Sequence, residues 1–510
     1  MTGWRRALLG VALLMGTATL MLYLFDEADP RTATVTPQEA EPKGDGYRLI
    51  DRACSSSLDW RSEMRCATLV TPAIQTAAGM QRFRLPVVIL PSQSPQRRPD
   101  PVVYLPGGPG GSAGLDADSL TFWKNWQDYA NLHRDLILME RRGVGDSEPA
   151  LVCKAYDQFS EQVIGEAVAP EEEARRAGRI LQRCFQNLEK AGAFHPDQFG
   201  TDQSARDLEA LLVRLPYEQV NLVGVSYGTR LALATARRPE ARSRIRSLAL
   251  DSLYPPDQGG LVSWPGVVTE SLDRFMAYCA ERRSCVGSET SLDALLDEAL
   301  QALAGEPLRL TVEPWNRNGP VTVVLDDNRL LAAVFSALYD RTLWGEVPRA
   351  LRGAVERDEA ALVPLVTDFI GRALDDSFSS LTFMAVDCLD HPLGSRAAFD
   401  AQLAQYPRFR QYLDTWDQSV CHWLGSADEP LLPLEKPDIP TLILAGALDP
   451  VTPAHWAYQV ADQWPAAQLY SAEEIGHSVL WSEPCVEAGL GKFLDAPRQP
   501  WRPDCKSAKE

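Results

Sequence analysis

The pattern of the 510 residues predicts an α/β fold, a mostly parallel central sheet covered by helices and interrupted by a mainly helical insertion. Three observations carry that expectation. Short, almost continuously apolar runs of strand length recur along the chain, and helical patterns lie between several of them. From about Pro255 to Pro433 the strand-like runs give way to amphipathic helical spacing, and afterwards they resume. Strands that are apolar on both sides belong to a parallel sheet with helices packed on each face.

The elements follow in order. Trp4-Arg5-Arg6 is a short basic patch, Ala7 to Phe25 carries no charge, and Asp26, Glu27 and Asp29 come next. Basic before and acidic after is the polarity of an export signal. The uncharged stretch exceeds the usual signal-peptide core of about 7–15 residues and approaches the roughly 20 that span a bilayer. The bulky Leu22-Tyr23-Leu24-Phe25 offers no small-x-small cleavage site. Residues 1–29 therefore read as a signal-anchor, or failing that a signal peptide, and 30–46 as a solvated tether. Residues 47–255 form the first part of the sheet-bearing core. Its strands are expected at Arg82–Leu90, Val102–Leu105, Asp135–Met139, Val220–Val223 and Ser247–Leu250, with a helix over Ala205–Leu215. Residues 256–432 form the helical cap, with helices over Leu292–Leu303, Arg329–Leu338 and Val347–Val355 and a hairpin within Glu306–Leu325. Residues 433–510 complete the core with strands at Thr441–Ala445 and Gln468–Tyr470.

Composition excludes several functions. The hydrophobic fraction of 45% and the charged fraction of 23% are those of a globular protein. Fifty basic against 69 acidic residues give a net charge of −19, which repels phosphate backbones and anionic headgroups. Any hold on the inner membrane is thus assigned to the uncleaved N-terminal segment. The ten cysteines are an even number, and in an exported chain they read as disulfides. Pairing in sequence (Cys54 with Cys66, Cys153 with Cys184, Cys279 with Cys285, Cys388 with Cys421, Cys485 with Cys505) closes short loops, although spacing alone leaves the connectivity open. No C-x-x-C and no pair of histidines at ligand spacing is present, so no metal is expected.

The chemistry is carried by three positions. Gly224-Val225-Ser226-Tyr227-Gly228 is a G-x-S-x-G between an expected strand and an expected helix, Thr229–Arg238. That strand–turn–helix setting presents a serine hydroxyl as a nucleophile. His477, in Glu474-Ile475-Gly476-His477-Ser478, follows the last strand and is the candidate general base. The other five histidines, His133, His195, His391, His422 and His455, read as structural. Asp449, after Thr441–Ala445, is the candidate acid that orients the base. Asp251 also ends a strand, but the strand before the histidine is the usual source. Ser, Asp, His is the chain order of an α/β-hydrolase. Two backbone N–H groups should form the oxyanion hole, that of Tyr227 and that of Gly108 in the turn Pro106-Gly107-Gly108-Pro109-Gly110-Gly111. A phosphate cradle is the rival reading of this turn, and no G-K-[ST] follows it.

The turn Gly107–Gly111, the run Arg142-Gly143-Val144-Gly145-Asp146-Ser147, the elbow Gly224–Gly228 and the Asp449/His477 tail resemble the proline iminopeptidase and tripeptidyl aminopeptidase group of α/β-hydrolase serine peptidases. The tail is especially similar to that of exported tripeptidyl aminopeptidases, through Asp449-Pro450-Val451-Thr452-Pro453, Gly476-His477, Cys485 and Cys505. Val386-Asp387-Cys388-Leu389-Asp390 is similar to a Cys-x-Asp motif of their cap. The resemblance spans roughly residues 50 to 505. It implies a cofactor-free bacterial envelope enzyme acting on short peptides through an acyl-enzyme, with cap carboxylates, Asp387 and Asp390 as candidates, holding a substrate ammonium. Two departures, Pro106 in place of histidine and Glu140-Arg141-Arg142-Gly143 in place of Asp-Gln-Arg-Gly, move the likeness from proline iminopeptidases toward the tripeptidyl group. Glu140 and Arg142 read as clamps of their own turn. A carboxylesterase or lipase would use the same triad and remains the alternative.

Overall fold

The computed structural model describes residues 46–54, 64–282, 291–433 and 436–505. The N-terminal segment 1–29, the tether up to residue 45 and Cys285 lie outside the described residues. Among the described residues the strands are β1 (Arg48–Arg52), β2 (Arg65–Val70), β3 (Ile74–Thr76), β4 (Gly79–Gln81), β5 (Arg84–Leu90), β6 (Val102–Leu105), β7 (Leu136–Met139), β8 (Val220–Val225), β9 (Ile245–Asp251), β10 (Leu308–Val312), β11 (Val321–Leu325), β12 (Thr441–Gly446) and β13 (Ala467–Ala472). Nine of them form one sheet in the order β1-β2-β5-β7-β6-β8-β9-β12-β13. The neighbours from β7 through β13 are parallel, whereas β1, β2 and β5 pair antiparallel along the other edge.

Alternation within the strands explains why the runs are apolar throughout. In β6, Val103 and Leu105 enter one core while Val102 and Tyr104 enter the other. Ile443 and Ala445 of β12 face the first core, and Leu442 and Leu444 the second. A strand buried on both sides has no position at which a polar side chain meets water. The strands that sequence pattern did not mark are β1 to β4. β1 is an edge strand, RLIDR, with its last three residues exposed. Its one covered face supplies too few apolar positions to set a period.

β9 and β12 are direct neighbours, Thr441 opposite Leu248, although almost two hundred residues separate them in sequence. The chain between them runs through helices Trp264–Ala280, Leu292–Gly305, Asp327–Ala337, Glu346–Glu356, Glu359–Ala373 and Ser380–Asp390, and through the antiparallel hairpin of β10 and β11. Disulfides join Cys54 to Cys66, Cys153 to Cys184, Cys388 to Cys421 and Cys485 to Cys505. Among the described residues no helix is long and apolar enough to cross a membrane.

Just past β7 the chain is locked by a buried ion pair. Arg142 Nε and Nη2 donate to the two oxygens of Asp207 at 2.7 and 2.8 Å, and Asp207 belongs to helix Thr201–Arg214. Both side chains are almost fully enclosed, at 4% and 3% exposure. Tyr47 Oη also donates to Asp207 Oδ1 at 2.8 Å, and Arg142 Nη1 to Gln198 Oε1 at 2.8 Å, but only the pair itself balances charge with charge. Asp207→Ala should lower unfolding free energy by about 3–5 kcal/mol in urea titration, because the buried guanidinium loses the carboxylate that balances its charge and keeps only neutral acceptors, those of Gln198 among them. The pair Arg142→Met with Asp207→Leu should recover most of that loss. A single variant within about 1 kcal/mol of wild type contradicts the assignment.

Candidate active site

Ser226 stands at the end of β8, where the strand turns into helix Tyr227–Arg237. Its backbone is at φ 56° and ψ −123°, a conformation that L-residues rarely adopt. The two flanking glycines are demanded by space. A Cβ on Gly224 would lie 2.5 Å from the Gly228 carbonyl oxygen, and one on Gly228 would overlap the Leu105 carbonyl. The Ser226 N–H donates to the Asp251 carbonyl at 2.9 Å. The side chain therefore projects from the C-terminal edge of the parallel strands, at the start of a helix.

Asp449 and His477 are brought together from separate loops. His477 Nδ1 lies 2.8 and 3.0 Å from the two Asp449 oxygens, and both side chains are 1% exposed. Asp449 also accepts from Val451 N at 3.0 Å, Thr452 N at 2.8 Å and Thr452 Oγ1 at 2.8 Å. Burial pushes this carboxyl up, yet His477 and the Thr452 donors outweigh it and hold Asp449 below the usual carboxylate range. A carboxylate with this many donors fixes the proton of His477 on Nδ1 and leaves Nε2 to act as base. The turn carrying the acid is pressed against the one carrying the base. A Cβ on Gly446 would lie 2.7 Å from the Ile475 carbonyl oxygen.

Asp251, the competing acid in sequence, has another task. Its oxygens accept from Ser478 Oγ at 2.9 Å, Val479 N at 2.9 Å and Leu480 N at 2.8 Å. It thus ties the residues after His477 to the same point that holds the Ser226 N–H. Burial raises its pKa to about 6.

The glycine-rich turn lies beside Ser226, for a Cβ on Gly107 would be 3.1 Å from Ser226 Cβ. Gly108 has φ 116°, and a Cβ there would come within 2.5 Å of the amide nitrogens of Gly110 and Gly111. Sequence reasoning missed the group that holds this turn. Buried Arg141 donates to the carbonyls of Pro106 (2.8 Å), Gly107 (3.1 Å), Pro109 (2.7 Å) and Gly111 (3.0 Å). Its guanidinium lies 5.1 Å from the centre of the Tyr227 ring. The signal was the departure Glu140-Arg141-Arg142-Gly143, in which the sequence pattern gives a role to Glu140 and Arg142 and none to Arg141. Glu140 accepts from Ser112 Oγ at 2.7 Å and Ala113 N at 3.0 Å, so it secures the exit of the glycine-rich turn.

Ser226, Gly108 and Pro109 line a cavity of about 310 Å³, together with Tyr254, Trp264, Phe383, Trp456 and Asp387. Asp387 is the one charged side chain among the described residues lining it. Burial works against its charge, but the His391 hydrogen bond and the Arg230 guanidinium hold the carboxyl below its ordinary range. Asp390 does not join it, which corrects the expectation of a second substrate carboxylate. Its oxygens meet Thr201 N at 2.7 Å and Thr201 Oγ1 at 2.5 Å, and Arg230 lies 3.6 Å away. The two aspartates stand three residues apart on one helix and so are neighbours on its surface, but only Asp387 lines the cavity, because Thr201 takes the oxygens of Asp390. Thr201 Oγ1 is in turn 2.8 Å from the Tyr227 hydroxyl, so Asp390 braces the helix that follows the nucleophile.

Comparison with known proteins gives two family matches, "alpha/beta hydrolase fold" over residues 100–330 and "TAP-like protein" over residues 406–505. The chain is similar to a tripeptidyl aminopeptidase of Streptomyces coelicolor, 25% identical over 87% of this chain and 84% of that one. It is similar to serine protease Hip1 of Mycobacterium tuberculosis, 24% identical over 77% and 78% of the two chains. A protein named carboxylesterase B from Mycobacterium tuberculosis is 25% identical over 98% of each chain.

The enclosed Glu140 gives a pH test of the site's framework. Burial is the main cause that raises its pKa from 4.5 to about 7. The folded protein therefore binds this proton more tightly than the unfolded chain. Its contribution to stability is full below about pH 4.5 and is lost as pH rises through about 7. Glu140→Gln cannot ionise, so its stability relative to wild type should rise between pH 5 and pH 8. The gain is on the order of 3 kcal/mol by urea unfolding. A relative stability that does not change with pH would show that the carboxyl is ionised in the fold like any other.

Proposed function

We propose that this chain, a member of the α/β-hydrolase family with a tripeptidyl-aminopeptidase-like C-terminal segment, is a serine hydrolase that releases short peptides or amino acids from free amino termini. The observation that carries the choice of substrate is the cavity. It holds Ser226 and Gly108, walls of tryptophan and tyrosine, and a single carboxylate, Asp387, kept ionised. An ammonium entering an aromatic cavity finds there one fixed counter-charge, and the rings stabilise the same cation through their faces.

In this reading Ser226 Oγ attacks the scissile carbonyl carbon as His477 Nε2 takes its proton. Asp449 keeps the imidazole in the tautomer that can do so and stabilises the imidazolium. The carbonyl oxygen, now negative, is met by the N–H groups of Gly108 and Tyr227. Collapse expels the amine, protonated by His477, and leaves the acyl group on Ser226. Water, activated by His477, then hydrolyses the ester.

The same machinery suits esters. The aromatic walls and the carboxylesterase-named relative favour that second reading. Export is part of the proposal. The described disulfides, Cys485–Cys505 among them, are of a kind that persists in oxidising compartments. An uncleaved N-terminal segment would hold the catalytic part at the periplasmic side of the inner membrane. The intact mass of the exported protein checks whether residues 1–29 are retained.

Ser226→Ala should abolish turnover of aminoacyl and ester reporters while the circular dichroism spectrum is unchanged. Retained turnover would sink the acyl-enzyme. Asp387→Asn should raise KM for free-amine peptides by about tenfold or more and leave N-blocked peptides and short esters almost unaffected, since one ionic contact is worth about 1.5–3 kcal/mol. Wild-type preference for N-blocked peptides or esters would reject the aminopeptidase and keep the hydrolase.

A further inference from the structure

The proposed triad gives no part to the buried Arg141 guanidinium. It donates to four backbone carbonyls of a single turn, those of Pro106, Gly107, Pro109 and Gly111. A guanidinium is a costly way to close a loop in a protein interior, and burial pulls its pKa down. A structural clamp for a glycine-rich turn needs no full charge. What distinguishes this one is where it leaves the opposite faces of the peptides it holds.

A trans peptide is planar, and its C=O and N–H point in opposite directions. The Gly107 carbonyl points at Arg141 Nη2, 3.1 Å away. The N–H across that same peptide belongs to Gly108, and it must therefore point away from Arg141. The far side is the nucleophile's side, because Gly107 packs against Ser226 Cβ and Gly108 lines the cavity with Ser226. Two glycines in succession have little intrinsic preference for this orientation, and the reverse, with the Gly107 carbonyl aimed at the developing oxyanion, costs them little. Arg141 also lies over the Tyr227 ring, whose residue supplies the second donor. We propose that Arg141 is the positioning residue of the oxyanion hole. It holds the Gly107–Gly108 peptide with its N–H toward the reacting carbonyl by binding the carbonyls on the opposite face. The inference rests on the serine acyl-enzyme reading and deepens it.

The test uses the full chain carrying Arg141→Met or Arg141→Lys, with rates normalised to the folded fraction from near-ultraviolet circular dichroism. For a free-amine aminoacyl nitroanilide, Arg141→Met should lose about 100-fold or more in kcat, the scale of a lost oxyanion donor, with KM within about threefold. A peptidyl trifluoromethyl ketone, which becomes tetrahedral on Ser226, should bind more weakly by a comparable factor. A product peptide, which does not, should bind as before. Lysine keeps the charge but has three donors on one nitrogen and cannot reach four carbonyls, so Arg141→Lys should fall between wild type and methionine. A purely structural arginine would instead weaken product and ketone alike. That pattern overturns the proposal, and so does kcat within about fivefold of wild type in the methionine variant. If the methionine variant does not fold, the lysine variant decides. A selective loss of kcat and of ketone binding supports the proposal, and wild-type values overturn it. Failure of the underlying reading looks different, because Ser226→Ala would then retain turnover whatever Arg141 does.

Discussion

A serine held at φ 56° and ψ −123° is the constraint around which the rest of the site is arranged. A backbone in that region costs on the order of 1–3 kcal/mol and survives only where its surroundings leave no alternative. Here they leave none. Gly224 and Gly228 pass too close to other backbone for any side chain, Gly107 lies against Ser226, and the Ser226 N–H is taken by the Asp251 carbonyl. The parallel sheet supplies these neighbours, since β6, β8 and β9 end side by side at the same edge.

Asp251 turns that edge into a shared support. Its carbonyl holds the Ser226 backbone, and its carboxylate holds the three residues after His477. Ser252 adds a second tie, accepting through Oγ from Ser478 N at 2.8 Å while its own N–H donates to the Leu444 carbonyl. His477 is thus positioned by β9 and β12 together, strands that adjoin only after the long helical segment between them has been folded out of the way. Arg274, from helix Trp264–Ala280 of that segment, donates to the Asp449 carbonyl at 3.2 Å, so the segment also touches the turn of the acid.

Much of this was legible in the chain. The strands β6, β8, β9 and β12 are buried on both faces, and their apolar runs place them within one or two residues. The hairpin expected within Glu306–Leu325 is β10 with β11. Glycine spacing identified the Ser226 turn because its close approaches are local, between residues four apart. Asp449 and His477 were legible from their order and their place after strands. Asp387 and Asp390 were not separable. Neighbours on one helix, they differ only in what other elements bring to them, a cavity in one case and Thr201 with Arg230 in the other.

The sequence by itself determined the alternation of strands and helices, the point at which the helical segment interrupts it, and the candidates for a nucleophile, an acid and a base. Those depend on short-range periodicity and on turns that only glycine can make. Tertiary structure alone gave the second candidate acid its task, because Asp449 and Asp251 follow adjacent strands and differ only in the groups they meet: His477 Nδ1 for Asp449, and Ser478, Val479 and Leu480 for Asp251. It also gave Arg141 its place. Four carbonyls that lie within six residues of each other in sequence converge on a guanidinium some thirty residues away, and no local pattern records a contact made through the backbone of another strand's turn.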